Sequence, residues 1–233
     1  MRLDKFVCKS TPLSRTEAVQ AIHHERVLVN GVAILDEAAQ VHENNHIILD
    51  GKHLVPRPFR YLLLHKPANC LSANISEPGK STKYPSVFDV LNIDNSSELH
   101  LVGRLDADTT GLLLATDDGR WSFTITSPNS DCSKVYRVGL AKPLGPEVAD
   151  TFLAGILLQG ERELTLPAKL EIIAPTQVLL TLTQGKFHQV KRMFAAVGNK
   201  VVSLHREKIG AISLDVPQGQ WRELTEAEVN AMG

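Results

Sequence analysis

Gly103-Arg104-Leu105-Asp106-Ala107-Asp108-Thr109-Thr110-Gly111-Leu112-Leu113-Leu114 sets a carboxylate and small hydroxyl residues between two β-rich runs, Leu99 to Val102 and Gly111 to Ala115. A loop braced by strands holds a side chain in fixed geometry while leaving it reachable. The same stretch imitates a calcium loop, with Asp106, Asp108 and Thr110 at alternate places, Gly111 at the sixth and Asp117 at the twelfth. A calcium loop needs a further oxygen ligand or bridging water near place nine and normally a glutamate at twelve, whereas Leu112-Leu113-Leu114 fills its second half with apolar side chains. Calcium is argued away, and on composition alone Arg104, Asp106 and Asp108 read most simply as turn residues in surface ion pairs.

Outward from this loop, β-rich runs recur at Tyr61 to Leu64, Val135 to Leu140, Ala168 to Ile173, Val178 to Thr183 and Val201 to Leu204. Helical stretches interrupt them at Ser86 to Leu91, Pro146 to Ile156 and His188 to Val197, the last closed by Gly198-Asn199. The pattern predicts an α+β domain with a mixed, mainly antiparallel sheet flanked by helices. Towards the amino terminus the reading changes. A short helix from Arg2 to about Lys9 precedes a second one starting at Ser14, where Ser14 and Glu17 have capping-box spacing. Strands follow about the Asn30-Gly31 and Asp50-Gly51 turns, both hairpin signals. Val55-Pro56-Arg57-Pro58 suits a semi-rigid linker, so the expected domains are 1–57, a small α/β module, and 58–233.

Composition narrows the function classes. A chain of 233 residues, 43% hydrophobic and 22% charged, has the profile of a soluble globular protein, and no apolar stretch reaches the roughly 20 residues of a membrane span. The start lacks the apolar core of a signal peptide, so cytoplasmic residence is expected. Cys8, Cys70 and Cys132 are odd in number and widely spaced, consistent with reduced thiols. Gly79-Lys80-Ser81-Thr82 resembles the end of a phosphate loop, but Asn74 stands where the leading glycine belongs and Pro85 disturbs the helix that should follow. His42 and His46 flank a polar turn and supply no zinc spacing, and no Gly-x-Ser-x-Gly elbow is present. The formal net charge is −1, so a nucleic-acid reading has to come from local charge. Between Gln184 and Gly210, Lys186, Lys191, Arg192, Lys200, Arg206 and Lys208 stand against Glu207 alone, a run that suits either phosphate contact or a solvated face.

The stretch from Gly103 to Leu114 resembles the catalytic motif of the RsuA family of pseudouridine synthases. His65-Lys66-Pro67, Lys134-Val135-Tyr136 and Gly185-Lys186-Phe187-His188-Gln189-Val190-Lys191-Arg192-Met193 resemble that family's other motifs in the same order, and the amino-terminal unit, with Arg2-Leu3-Asp4-Lys5 and Ser14-Arg15, is similar to an S4 RNA-binding module. The resemblance covers nearly the whole chain. It implies a pseudouridine synthase fold behind an S4 module, and isomerisation of one uridine in small-subunit (16S) ribosomal RNA, free or in an assembling subunit. That reaction has no redox step and so requires no cofactor, no metal site is expected, and a monomer is the simplest expectation. Asp106 would be the catalytic carboxylate, attacking ribose or base or taking a proton through a glycal-like route. Tyr136 would pack against the flipped uracil, Lys191 would pair with Asp106, Arg104 would fill the space the base leaves or hold the displaced backbone, and Leu204 would line the pocket. Gln189 and Arg192, with Arg2, Lys5, Arg15 and Arg26 of the S4-like unit, would contact RNA. A large-subunit enzyme of the same family, a non-catalytic ribosome-assembly factor, and a hydrolase using Asp106 with Asp108 or Asp117 stay open as alternatives.

Overall fold

The structure is a computed structural model that describes residues 1–42, 44–73, 83–127 and 130–232. The segment Gly79 to Thr82 that imitates a phosphate loop, with Asn74, lies outside the described residues. The chain divides into two compact units, Met1–Pro58 and Phe59–Gly233.

In the first unit, helices α1 (Leu3–Ser10) and α2 (Arg15–His23) precede strands β1 (Val27–Val29), β2 (Val32–Ala33), β3 (Ile47–Leu49) and β4 (Lys52–His53). The expected capping box is present: Glu17 N donates to Ser14 Oγ at 3.3 Å and Ser14 N to Glu17 Oε2 at 2.7 Å. Both hairpins turn on pairs of positive-φ residues, Asn30 and Gly31, then Asp50 and Gly51, the geometry that matches strand twist in a two-residue loop. The strands form one antiparallel sheet in the order β2-β1-β3-β4. Leu3, Phe6 and Val7 of α1, Ala18, Ala21 and Ile22 of α2, and Val27, Ile47 and Leu49 of the sheet make its core.

The second unit runs β5 (Tyr61–Lys66), α3 (Val87–Leu91), β6 (His100–Val102), β7 (Thr110–Thr116), α4 (Gly119–Thr126), β8 (Lys134–Leu140), α5 (Glu147–Ala154), β9 (Lys169–Ala174), β10 (Gln177–Leu182), α6 (Gln189–Ala196), β11 (Val201–Ile209), β12 (Ile212–Ser213), β13 (Trp221–Glu223) and α7 (Glu226–Asn230). Its described strands form a nine-stranded mixed sheet with the path β13-β5-β7-β11-β8-β10-β9, to which β6 and β12 are attached. The pairings are antiparallel except β7 with β11. Alternation sorts the helices onto the sheet: Leu62 and Leu64 pack with Phe88 and Leu91 of α3, whereas Leu63 packs with Trp121 and Ile125 of α4. Phe152 of α5 and Met193 and Phe194 of α6 share a third cluster with Val138, Leu180 and Leu182.

Sequence periodicity did not reveal α4 or α7. Gly119-Arg-Trp-Ser-Phe-Thr-Ile-Thr126 is rich in strand formers, and the helix is started instead by Asp118, whose carboxylate accepts from Arg120 N and Trp121 N. One glycine is indispensable to the sheet. Gly111 has φ +109° and lies so close to β11 that a Cβ there would sit 2.3 Å from the carbonyl oxygen of Arg206.

Candidate active site

Three sources brace the loop between β6 and β7. Ser72 Oγ donates to Leu105 O at 2.8 Å and accepts from Leu105 N at 3.0 Å. Asn69 N donates to Ala107 O at 2.8 Å. The fully buried Lys66, last residue of β5, donates its ammonium to Pro67 O, Ala107 O and Thr109 O at 3.0, 3.2 and 2.8 Å. Burial pushes the Lys66 pKa down, and the three carbonyl dipoles satisfy its donors. Asp106 is thus clamped at the residue before it and at the residues after it.

Its carboxylate remains partly open, with 28% of the side chain exposed. Lys191, in the first turns of α6, donates to Asp106 Oδ2 at 2.8 Å and also to Asp108 Oδ1 and Oδ2 at 2.7 and 3.0 Å. Burial opposes the charge on Lys191, but the hydrogen bonds to Asp106 and Asp108 outweigh it and raise its pKa. The Lys191 hydrogen bond in turn holds Asp108 below the ordinary carboxylate range. The second Asp106 oxygen, Oδ1, makes no hydrogen bond with a described residue, His188 Nε2 standing 3.4 Å from it. A carboxylate oxygen left without a strong donor in a fixed loop is available to a reacting carbon or proton.

Asp106 lines a cavity of about 780 Å³ together with Arg104, Tyr136, Lys191 and Leu204. The structure therefore brings together the residues expected for the reaction itself. Tyr136 is on β8, and its ring is largely buried. Arg104 is exposed and makes no ion pair with a described residue, which removes the surface ion pair as its explanation. Leu204 is half-buried and packs against the α5 and α6 cluster.

The expected RNA contacts fare differently. Gln189 lines the cavity but is only 4% exposed, and its amide is spent within the loop, accepting from Lys186 N at 2.8 Å and donating to Gln184 Oε1 at 3.2 Å. Arg192 donates to Glu161 Oε1 from both terminal nitrogens, and further to Gln159 O and Phe187 O. In the first unit, Arg2 and Arg15 both pair with the buried Asp4, Arg26 pairs with Asp50, and Lys5 is exposed. Gln189 is thus committed inside the protein, whereas Arg192, Arg2, Arg15 and Arg26 are each paired with a carboxylate, Arg15 and Arg26 at the surface with 72% and 49% of the side chain exposed, so counting basic residues along the sequence overstates the unpaired charge. Among the described residues no group of three or more His, Cys, Asp or Glu could hold a metal ion. Asp117, a partner in the hydrolase alternative, instead accepts from Arg60 N at 2.8 Å.

Sequence reasoning gave no individual role to Lys66, Ser72, His188 or Arg206. Lys66 and His188 stood within motifs that carry the resemblance and Arg206 within the basic run, whereas Ser72 gave no signal. His188 holds a left-handed φ of +48° and stacks on Phe187 at 3.8 Å between ring centres. Phe187 itself is 77% exposed.

The chain is similar to known proteins along its length. Residues 60–196 match the family model of RNA pseudouridylate synthases, and residues 1–47 match the S4 domain. The chain is 48% identical to a Vibrio cholerae protein named ribosomal small subunit pseudouridine synthase A, over 98% of both chains. It is 44% identical to the Escherichia coli K12 protein of that name over 98% of both, and 42% identical to that of Haemophilus influenzae over 100% of this chain and 99% of the other. A solved structure titled crystal structure of pseudouridylate synthase superposes with a TM-score of 0.72 at 41% identity, each chain covered completely. This chain is an RNA pseudouridine synthase, a member of the RNA pseudouridylate synthase family with an amino-terminal S4 domain. Its full-length relatives in Vibrio cholerae, Haemophilus influenzae and Escherichia coli carry the small-subunit name.

Proposed function

We propose that this enzyme converts one uridine of small-subunit ribosomal RNA to pseudouridine, with Asp106 as the catalytic carboxylate. The observation that carries the reading is Asp106 itself: its loop fixed by Lys66 and Ser72, its carboxylate paired with Lys191, and its side chain lining a cavity shared with Tyr136 and Arg104. The choice of ribosomal subunit follows from the names of the full-length relatives. The reaction breaks the bond from N1 of uracil to C1′ of ribose, turns the base and joins C5 to the same carbon, with no net redox change. The uridine leaves its stack to reach the carboxylate. Tyr136 supports the uracil ring, Leu204 packs beside it and Arg104 occupies the gap in the RNA. The S4 unit adds affinity as a second RNA-binding module on the same chain. The enzyme works as a monomer in the cytoplasm, and no helix among the described residues is long and apolar enough to cross a membrane.

The test is nucleotide-resolution mapping of pseudouridine in both ribosomal RNAs from a deletion strain complemented with the parent chain or with Asp106→Asn. One small-subunit site restored by the parent alone is the expected result. Restoration of a large-subunit site moves the substrate to the other subunit, and modification by Asp106→Asn removes the catalytic assignment.

A further inference from the structure

The cavity also holds a guanidinium to which the roles above give no task. Arg206 on β11 lies in register with Tyr136 on β8 and Gly111 on β7, and the missing Cβ of Gly111 is what lets the two strands come this close. Arg206 is 2% exposed. Its Nε donates to Leu112 O at 2.7 Å, its Nη1 donates to the Tyr136 hydroxyl oxygen at 3.4 Å, and its guanidinium carbon is 5.9 Å from the Tyr136 ring centre. Its Nη2 is buried with no hydrogen-bond partner, and no described carboxylate pairs with it. Lys134, two residues before Tyr136, is a second cation lining the cavity, its ammonium donating to Cys132 O at 2.9 Å.

A buried cation whose partners are neutral is costly to keep. That cost is offset when negative charge arrives next to it. Arginine has donors only, so the Tyr136 oxygen is the acceptor in their contact and the phenolic hydrogen is left for another acceptor. Among the described residues the Tyr136 hydroxyl has no other hydrogen bond, and Tyr136 lines the cavity. The chemistry supplies the charge. Whichever route operates, uracil receives an electron pair, either from the broken C1′–N1 bond or from an Asp106 oxygen adding to the ring, and spreads it over O2 and O4. In the first route C1′ then bonds to Asp106, or loses a C2′ proton to it; in the second the C1′–N1 bond of the adduct breaks next. On closure C5 bonds to C1′ as Asp106 leaves C1′, returns the proton to C2′ or leaves the ring, the C5 proton leaves to solvent and N1 takes one up.

We infer that Arg206 is a positioning residue that acts through Tyr136: it turns the phenolic hydrogen towards the uracil and places uncompensated positive charge behind it, stabilising the uracil anion that forms in the transition state. This rests on the pseudouridine synthase reading above. Preorganised donors and charges of this kind act on the transition state more than on bound substrate.

The experiment measures kcat, KM and RNA affinity of the full chain on its ribosomal RNA substrate for Arg206→Gln, Arg206→Lys, Tyr136→Phe and the Arg206→Gln/Tyr136→Phe pair. Arg206→Gln is expected to lower kcat by about 100-fold, leaving KM and RNA affinity within about threefold. Arg206→Lys recovers at least about tenfold of the loss, and the double variant is much less impaired than the product of the two single losses. Unchanged kcat, a loss confined to KM, or fully multiplicative losses overturns the inference. Should Arg206→Gln fail to fold, Tyr136→Phe is compared in the parent and Arg206→Lys backgrounds; a smaller cost in the second is expected, and equal costs overturn it. A parent chain that forms no pseudouridine defeats the functional reading instead, whereas an active parent matched by Arg206→Gln defeats only this inference.

Discussion

Two clusters in the second unit have the same composition, one cation between two carboxylates. Lys191 sits between Asp106 and Asp108, and Arg222 between Asp215 and Glu228. The cations are similarly exposed, 29% and 26%, and so are the better shielded acids, Asp106 at 28% and Glu228 at 25%. Burial therefore does not separate them. The guanidinium engages both oxygens of both acids, and Glu228 Oε2 accepts from Thr225 N as well. Lys191 is a compact charge whose hydrogen bond to Asp106 reaches one oxygen and leaves the other without a strong donor. The same stoichiometry gives a carboxylate with one oxygen left open, the one proposed to react, in one place and a saturated clamp that ties β13 to α7 in the other.

Substitutions that break the comparison should sort by cluster. Asp106→Asn is expected to cost on the order of 10⁴-fold or more in pseudouridine formation, the scale of removing a reacting group, with RNA affinity unchanged in a filter-binding assay. Retained turnover would mean that another group carries the chemistry. Lys191→Met is expected to lower kcat by roughly 10²–10³-fold, since it removes both the orientation and the charge partner of Asp106. Arg222→Met should leave kcat within about twofold but lower stability by about 1–3 kcal/mol, because Glu228 loses its partner. For a chain of this size that is a fall of roughly 3–10 °C in melting temperature. If Arg222→Met impaired kcat as Lys191→Met does, the division into reactive and structural clusters would be lost.

Two smaller effects sharpen the contrast. Glu228 is held down to about 2 by its hydrogen bonds with Arg222, against the burial that opposes its charge. A carboxylate pKa depressed in the folded state means that the unfolded chain takes up its proton first as pH falls. The stabilisation is thus complete above about pH 4.5 and is lost as pH falls from there towards 2. After discounting for solvent screening it amounts to about 1–2 kcal/mol, and thermal melts between pH 5.5 and 3 should show a steeper fall for the parent than for Glu228→Gln. Asp108→Asn should have the smallest effect, within about fivefold in kcat and about 0.5 kcal/mol in stability, because Asp108 is 71% exposed. A loss approaching that of Asp106→Asn would promote Asp108 to a partner in the chemistry.

Much of this was legible in the sequence because it depends on local chemistry. Asn30-Gly31 and Asp50-Gly51 dictate their turns, Ser14 and Glu17 dictate a helix start, and the alternating Leu62, Leu63 and Leu64 dictate a two-faced strand. The pairing of Asp106 with Lys191, 85 residues apart, came from resemblance, since no local rule spans that distance. What stayed hidden depends on register and on partners. Arg206 counts in sequence as one more surface cation, and only its place on a central strand between Gly111 and Tyr136 buries it. Arg2, Arg15 and Arg192 likewise count as free charge until Asp4 and Glu161 are placed beside them. The capping box of α7, Thr225 with Glu228, was present as a pattern but too short-ranged to stand out after the last strand.

The ammonium of Lys66, anchored on three carbonyls inside the protein, bears on timing as well as position. Releasing the Asp106 loop requires that cation to give up its three acceptors together, so the loop opens only with the unfolding of its surroundings, and the Asn69 and Thr109 amides should be among the slowest to exchange with solvent. A carboxylate held this way does not travel to meet a stacked base. Under the proposed function the work of extraction would then fall on the nucleic acid, and the encounter would be paced by how readily the uridine swings out.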